Sequence, residues 1–539
     1  MLRRDFLSGL SLALGYSASG LGALTPPSAV KNILDYGANP NGKSLATKAI
    51  QHAIDDVHNA GGGILHAPPG AFLVAGLELK SRVTLYLDAG CTLLGSTSID
   101  DYQNRPRTNG YHVIFAQNAD DVTLTGPGVI DGQGPAFWER ADRPPAPPEN
   151  AWKDVATHYV QVKKGSHRPS PMIEFGQCRN VSISGVTLKN SAGWTLRSAA
   201  CERVSIDGIR IRNPYFGVNT DGIDIAASRD VQVSNCDIVT GDDAVVLKSV
   251  NPYGEPLPTK NIKVVNCKLT TSCNGFKIGT ETQASFENIV FSNSVIYSDA
   301  SSPLNSRVIG GISIEMVDGG SVDGVTISNI RMQNVRTPIF VRLEARKQSD
   351  VSFLRNVSID NVDASGAIIT SSITGVPGLR PSNISVTNCH IRTVEQGQKD
   401  WVHRDIPEVT EHYPEAWMMG RLPAYGFYLR HADRVQLRNI EFITDKPDAR
   451  PAIVCDDVSD VTLSGLQLAA PVDGAPLIDL RDTRWAILTG MRSPAGIKVF
   501  AQISGANSSE IALQGNTLDT RQKAVEYSDG AIEGAAKVE

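Results

Sequence analysis

The stretch "VSISGVTLKNSAGWTLRSAACERVSIDGIRIRN", residues 181–213, carries the same short phrase twice, 23 residues apart: Val181 to Gly185 and Val204 to Gly208. Each phrase reads apolar, any, apolar, any, then a residue that tolerates a left-handed backbone. The phrase begins again at Val122, Val231, Ile262, Ile289, Val325, Val357, Ile384, Val435, Val461 and Ile511. Its fifth residue is Gly or Asn every time, as at Gly126, Asn235, Asn266 and Asn439. Alternation of apolar residues marks a half-buried strand, and Gly or Asn at a fixed offset marks a bend that each strand enters alike.

From Val181 to Ile384 the successive gaps are 23, 27, 31, 27, 36, 32 and 27 residues. A period this short, made of strands, is one turn of a solenoid, and the fold class expected is all-β, a right-handed parallel β-helix. The gap of 51 residues from Ile384 to Val435 then means two coils or one coil with a long loop. Cys236, Cys267 and Cys389 each directly follow the Asn of their phrase, which places them in one column. With no zinc spacing among the eight cysteines, they read as buried thiols.

The flanks fit a solenoid. In "SLATKAIQHAIDDVHNAGGG" (44–63) the apolar residues Leu45, Ile50, Ile54 and Val57 follow a helical spacing that ends in glycines, so a helix is expected to cap the open N-terminal end. Two segments lack the phrase and carry aromatics and prolines, roughly 141–168 and 392–422; loops of this kind on a rigid scaffold shape binding sites. At the start, "MLRRDFLSGLSLALGYSASGLGA" joins Arg3 and Arg4 to a short apolar run ending in small residues. Residues 1–24 are therefore expected to be a twin-arginine signal peptide, residues 25–539 one catalytic domain, and the protein exported to the periplasm or beyond.

Composition narrows the partner. A chain of 539 residues with 41% hydrophobic and 20% charged residues buries a large core, and its net charge of -6 is spread without a basic stripe. Neither nucleic acid nor a membrane is implied, and a monomer acting on a small or polymeric solute is expected.

Chemistry gathers in "VTGDDAVVLKS" (239–249), where Asp242 and Asp243 stand side by side after a glycine. Aligning the inward pairs Ile223/Ile225, Val245/Leu247, Phe276/Ile278 and Ile312/Ile314 puts Asp221, Asp243 and Asn274 in one column, with Asp242 beside them. Strict alternation sends Asp242 outward and Asp243 inward, unless the bend allowed by Gly241 redirects them. Three crowded carboxyls cannot all ionise cheaply, so one is expected to keep a proton near neutral pH. A proton-bearing acid beside an ionised carboxylate is the equipment of glycoside hydrolysis. Paired aspartates also cap bends or bind calcium, but a second Asp motif one coil away, flanked by Lys248 and Lys277, favours catalysis.

At these residues the chain resembles glycoside hydrolase family 28, the polygalacturonase and rhamnogalacturonase family. The resemblance runs through "DYGANPNGKSLATKAIQHAI" (35–54), "GLELKSRVTLYLDAGCTLLGS" (76–96), "RPSPMIEF" (168–175) and "NSAGWTL" (190–196) to "NTD" (219–221) and "GDD" (241–243). It implies a pectin-lyase-like single-stranded β-helix that hydrolyses pectic poly- or oligosaccharides with inversion, without metal or other cofactor. It also implies Asp242 as general acid, with Asp221 and Asp243 holding the attacking water.

Two departures bear on substrate. Where polygalacturonases carry "GHG" this sequence has "CNG", with Asn274 for the histidine, and where they carry "RIK" it has "SIE", with Glu315 for the lysine. A carboxylate there repels a uronate, so rhamnogalacturonan or other complex pectic chains are favoured over homogalacturonan. "NGFKIGTE" and "PAYGFYLRHA" resemble the family's bacterial branch that acts on such chains. Candidate substrate contacts are Asn219, Lys248, Asn274 and Lys277, together with Glu281, Glu315 and Arg342, and Trp194 and Trp417 are candidate stacking platforms. A β-helix polysaccharide lyase using calcium and a non-catalytic carbohydrate-binding β-helix are the alternatives.

Overall fold

Each repeated phrase forms a strand, and nearly all strands pair in parallel with the strand one coil before and one coil after. The computed structural model describes residues 30–104, 110–141, 160–302, 306–346 and 352–539. The twin-arginine segment therefore lies outside the described residues, as does most of the 141–168 loop. Up to Thr271 each full coil carries three strands; beyond it two of the faces run together in long strands such as Ser285–Tyr297 and Ser321–Gln333, and the stacked coils enclose one continuous apolar core. This is the expected parallel β-helix.

The left-handed bend is observed at all twelve phrases, with φ between 51° and 72° at Asn235, Asn293 and Gly185, for example. A second left-handed column, unforeseen from the sequence, stands immediately before the phrase, at Asn180, Asp230, Asn261, Asn356 and Asn383 among others. Asn tolerates this conformation, and its amide adds a ladder: Asn329 Nδ2 donates to Asn293 at 2.9 Å, and Asn361 Nδ2 to Asn329 at 2.7 Å. A thirteenth phrase escaped the apolar pattern because it opens on Ala486; it ends on Gly490 in the same conformation.

The 51-residue gap after Ile384 is one coil with a loop, because Ser382–Thr393 pairs directly with Phe427–Thr444. Cys236 and Cys267 are neighbours in one column, while Cys389 joins it further along the stack with Ser294, Ile330 and Val362 between. All eight cysteines are buried free thiols.

The capping helix α1 spans Thr47–Asn59 and buries Ile50, Ala53, Ile54 and Val57 on one face. Leu45, expected on that face, belongs instead to the preceding strand and is exposed. Five consecutive strands of one sheet position the site: β1 (Ile223–Ala226), β2 (Val245–Lys248), β3 (Asn274–Ile278), β4 (Gly310–Met316) and β5 (Thr337–Leu343). Their register, Ile223 to Val245 to Phe276 to Ile312, is the one the sequence alignment of coils requires.

The ladder generates a prediction. Asn329→Val forces a β-branched residue to φ 57° and removes both ladder bonds, so urea unfolding should report a loss of about 1–3 kcal/mol. Asn329→Gly keeps the bend and should lose less; equal losses for the two would refute the conformational part of this account.

Candidate active site

Asp243 opens the turn into β2, and its direction is set by what it touches. Its Oδ1 accepts from the backbone N of Asn274 at 3.2 Å and from Asn274 Nδ2 at 2.9 Å, and its Oδ2 lies 3.3 Å from Lys277 Nζ. Lys277 alternates with the inward Phe276 and Ile278, so Asp243 faces the outer surface of the sheet, not the core. The turn overrides strand parity. Gly241 does not do this through a left-handed backbone: a Cβ there would meet backbone atoms of Gly217 at 2.6–2.7 Å, so glycine admits the neighbouring turn.

Asp242 sits half-buried beside it. Its Oδ1 accepts from the backbone N of Asp243 at 2.9 Å, and its Oδ2 accepts from Asn219 Nδ2 at 3.3 Å. Asp221, one coil earlier, is buried, and among the described residues its Oδ1 accepts no hydrogen bond. The structure therefore brings together Asp221, Asp242, Asp243, Asn219 and Asn274.

Crowding raises the proton affinity of the group. Burial, then Asp224 and Asp242, push Asp221 well above the usual carboxylate range, against the pull of Lys248. Burial and then Asp243 raise Asp242, with Lys277 opposing. Both carboxyls thus bind a proton more tightly than a free carboxylate does, as like charges in a poorly solvated site require.

The cations expected to receive an acidic sugar are already engaged. Lys248 is buried, 2.9 Å from Asp224, 3.2 Å from Glu281 and 3.7 Å from Asp221, and its Nζ stands 3.8 Å from the centre of the Trp194 ring. Lys277 is buried between Asp243 and Glu315, the latter at 3.2 Å. Glu315 is itself fully buried, so its charge is met by Lys277 and is not presented bare to a ligand. Arg342, also fully buried, spends its donors on Glu344 at 2.7 Å, Gly375 O at 3.1 Å and Glu408 O at 2.6 Å. These residues build the floor of the cleft: Lys248 and Lys277 project from the outer face of the sheet, but into carboxylates of the protein, and their reading as free contacts for an acidic sugar is corrected accordingly.

The loop at 392–422 crosses this sheet face as a strap. Ala416, Met418, Met419 and Leu422 pack with Ile309, Phe340 and Tyr428 in a small second core, where Trp417 also docks, so Trp417 serves packing. The strap holds Tyr413, half-exposed, with its hydroxyl 3.2 Å from Lys277 Nζ. It also buries Glu415, whose Oε1 accepts from the Cys273 thiol at 3.8 Å and whose carboxyl burial raises to about 7. Sequence reasoning passed over Asp224, Tyr413 and Glu415. Asp224 had a signal, a carboxylate alternating with Ile223 and Ile225, and burial raises it to about 6 despite Lys248.

Asp242, Asp243 and Cys273 bring ligand atoms within 4.8 Å of one another. Two carboxylates and a thiol are not the six to eight oxygens that calcium takes, which weighs against the calcium-dependent lyase. No described helix is long and apolar enough to cross a membrane.

Comparison with known proteins agrees with this fold. The model of the family "Glycosyl hydrolases family 28" matches residues 63–393. Among curated relatives, an endo-polygalacturonase of Pectobacterium carotovorum subsp. carotovorum is 27% identical over 394 residues, 69% of this chain and 90% of that protein. A probable polygalacturonase of Vitis vinifera is 25% identical over 407 residues, 70% and 78% of the two chains. The exopolygalacturonase structure from Thermotoga maritima superposes with a TM-score of 0.57 at 22% identity, covering 78% of this chain and 92% of its own. The family 28 exopolygalacturonase of Yersinia enterocolitica gives 0.56 at 20% identity, covering 85% and 78%. At these identities the structural likeness establishes the fold.

Proposed function

The chain belongs to glycosyl hydrolases family 28 and is a polygalacturonase-type hydrolase, and from that premise we propose that it cleaves pectic chains with Asp242 as general acid and with Asp221 and Asp243 holding the attacking water. The observation that carries this reading is the unequal environment of the adjacent pair. Lys277 touches Asp243, while Asp242 meets amide donors and the Cys273 thiol, none of them charged, and is raised by burial and by Asp243. Of the adjacent pair it is Asp242 that keeps a proton more readily, and it can pass that proton to the leaving oxygen.

Asp242 and Asp243 approach within 4.8 Å, closer than the ~6.5–9.5 Å usual between the carboxyls of an inverting site. The inverting reading consequently rests on Asp221. It enters from the neighbouring coil, and its Oδ1, buried and without a hydrogen-bond partner among the described residues, is an acceptor that a water held in the site would satisfy. Inversion then needs three carboxyls and one water.

For substrate, we infer rhamnogalacturonan-type or other complex pectic oligosaccharides in preference to homogalacturonan. Homogalacturonan presents a carboxylate on every sugar, and a cleft suited to it offers a free cation at each subsite. Here Lys248, Lys277 and Arg342 are each neutralised by a carboxylate of the protein. We further propose that residues 1–24 direct export and that residues 25–539 act as one monomeric catalytic unit outside the cytoplasm.

Asp242→Asn preserves size and hydrogen bonding but delivers no proton, so kcat should fall ~10²–10⁴-fold with an unchanged melting curve. A variant keeping a tenth of the wild-type rate would remove Asp242 from the role.

Because an acid works only while protonated, activity should decline as pH rises through the raised value of Asp242. Lys277 holds that value down. Lys277→Met should therefore move the alkaline limb of kcat/KM to higher pH, and a limb that stays or moves lower would contradict the assignment.

Hydrolysis of polygalacturonate and rhamnogalacturonan oligosaccharides of equal length, followed by proton NMR, tests substrate and stereochemistry together. The expected result is a higher kcat/KM on rhamnogalacturonan and a first-formed anomer inverted from the substrate, unaffected by chelator. A preference for polygalacturonate would overturn the substrate reading, and retention would overturn the mechanism.

A further inference from the structure

We propose that Arg168 is the specificity-determining cation of the cleft, the clamp for a single uronate carboxylate of the chain, bound beside Asp242; this rests on reading Asp242 as the acid of a pectic hydrolase. Arg168 opens the "RPSPMIEF" segment and had no role in the sequence reading beyond that motif.

The guanidinium is built into place. Its Nη1 donates to the carbonyls of Ala192 at 2.8 Å and Val218 at 2.7 Å, tying the turns of two successive coils. Its Nη2 donates to Asn219 Oδ1 at 3.0 Å, and Asn219 Nδ2 donates in turn to Asp242 Oδ2 at 3.3 Å. A single amide thus links the guanidinium to the proposed acid. Glycine at 193 makes the fit possible, since a Cβ there would lie 3.1 Å from Arg168 Cζ and 2.3 Å from Ser170 Oγ.

Charge bookkeeping singles this residue out. Around the cleft, Lys248, Lys277, Arg197, Arg342 and Arg346 each hold a carboxylate of the protein. Arg168 has no carboxylate within ion-pair distance among the described residues, although Asp221 and Asp242 are near enough to favour its charge against burial. A guanidinium has five N–H donors, and three are used here. The Nε–H and one Nη2 N–H remain, two donors on a half-buried planar cation, which is what a carboxylate takes in a bidentate pair.

The consequence is a spacing rule. With Arg168 the guanidinium that meets no carboxylate among the described ion pairs of the cleft, the cleft recognises one carboxylate near the scissile bond and leaves the neighbouring sugars to neutral contacts. A backbone in which acidic and neutral sugars alternate supplies that pattern, whereas a run of uronates brings further charges to Glu281 and the aspartates.

The test is a ratio, because Arg168 also ties two turns and its loss can lower activity for structural reasons alone. A rhamnogalacturonan oligosaccharide and its carboxyl-reduced counterpart are compared as substrates for the wild type and for Arg168→Gln. The wild type should prefer the acid by about 10- to 100-fold in kcat/KM, and Arg168→Gln should bring the two within about twofold. A purely structural role lowers both values together and leaves the ratio intact, and that result, or a wild type indifferent to the carboxyl group, would overturn the proposal. Calorimetry with the same two oligosaccharides on Asp242→Asn, with and without Arg168→Gln, reads the ratio as affinity. A wild type that hydrolyses neither compound would refute the pectic hydrolase reading, while this binding ratio would still decide the place of Arg168.

Discussion

The parallel register of successive coils is the constraint on which everything else depends. Residues far apart in sequence, Asp221, Asp243 and Asn274, become neighbours because Ile223, Val245, Phe276 and Ile312 stack in the core beneath them. A slip of one residue in any pairing would turn a carboxylate inward and an isoleucine outward, at the cost of both burial and solvation. The left-handed Asn and Gly columns hold that register from outside the core, and their amide ladder repeats it in hydrogen bonds.

On this frame the protein maintains an unusual density of buried charge. Burying a charge is tolerable only when it is paired and hydrogen-bonded. Lys248 answers Asp224 and Asp221, Lys277 answers Asp243 and Glu315, and Arg342 answers Glu344. The strap at 392–422 seals part of this network, adding Glu415 and the Tyr413 hydroxyl. The same pairing that stabilises the floor engages its cations, and on the proposal made above acidic recognition then falls to Arg168 at the rim.

The fold was legible because strand alternation and Gly or Asn at the fifth position are local signals repeated at a near-constant interval. Ala486 was missed because alanine carries too little hydrophobic weight to mark a core position, although its partners in the stack are Val461 and Ile511. The aspartates were legible for the same reason, since coil alignment alone brings them into one column. What sequence could not give was pairing across loops. Lys248, Lys277 and Arg342 look like free cations on a strand, and only folding shows the carboxylates that meet them. Tyr413 and Glu415 come from a segment without periodicity, so nothing in their spacing pointed to the site, and Arg168 lies in a turn whose partners, Ala192, Val218 and Asn219, offer main-chain or amide oxygens with no sequence signature.

The central claim is that residues on adjacent coils form one proton-handling site with unequal members. A crystal structure of Asp242→Asn with a bound pectic oligosaccharide tests it most directly. The account predicts the glycosidic oxygen within hydrogen-bonding distance of residue 242 and a water held by Asp221 and Asp243 on the opposite face of the sugar. An oligosaccharide seated elsewhere, or bound here with residue 242 turned away from the glycosidic oxygen, would contradict it.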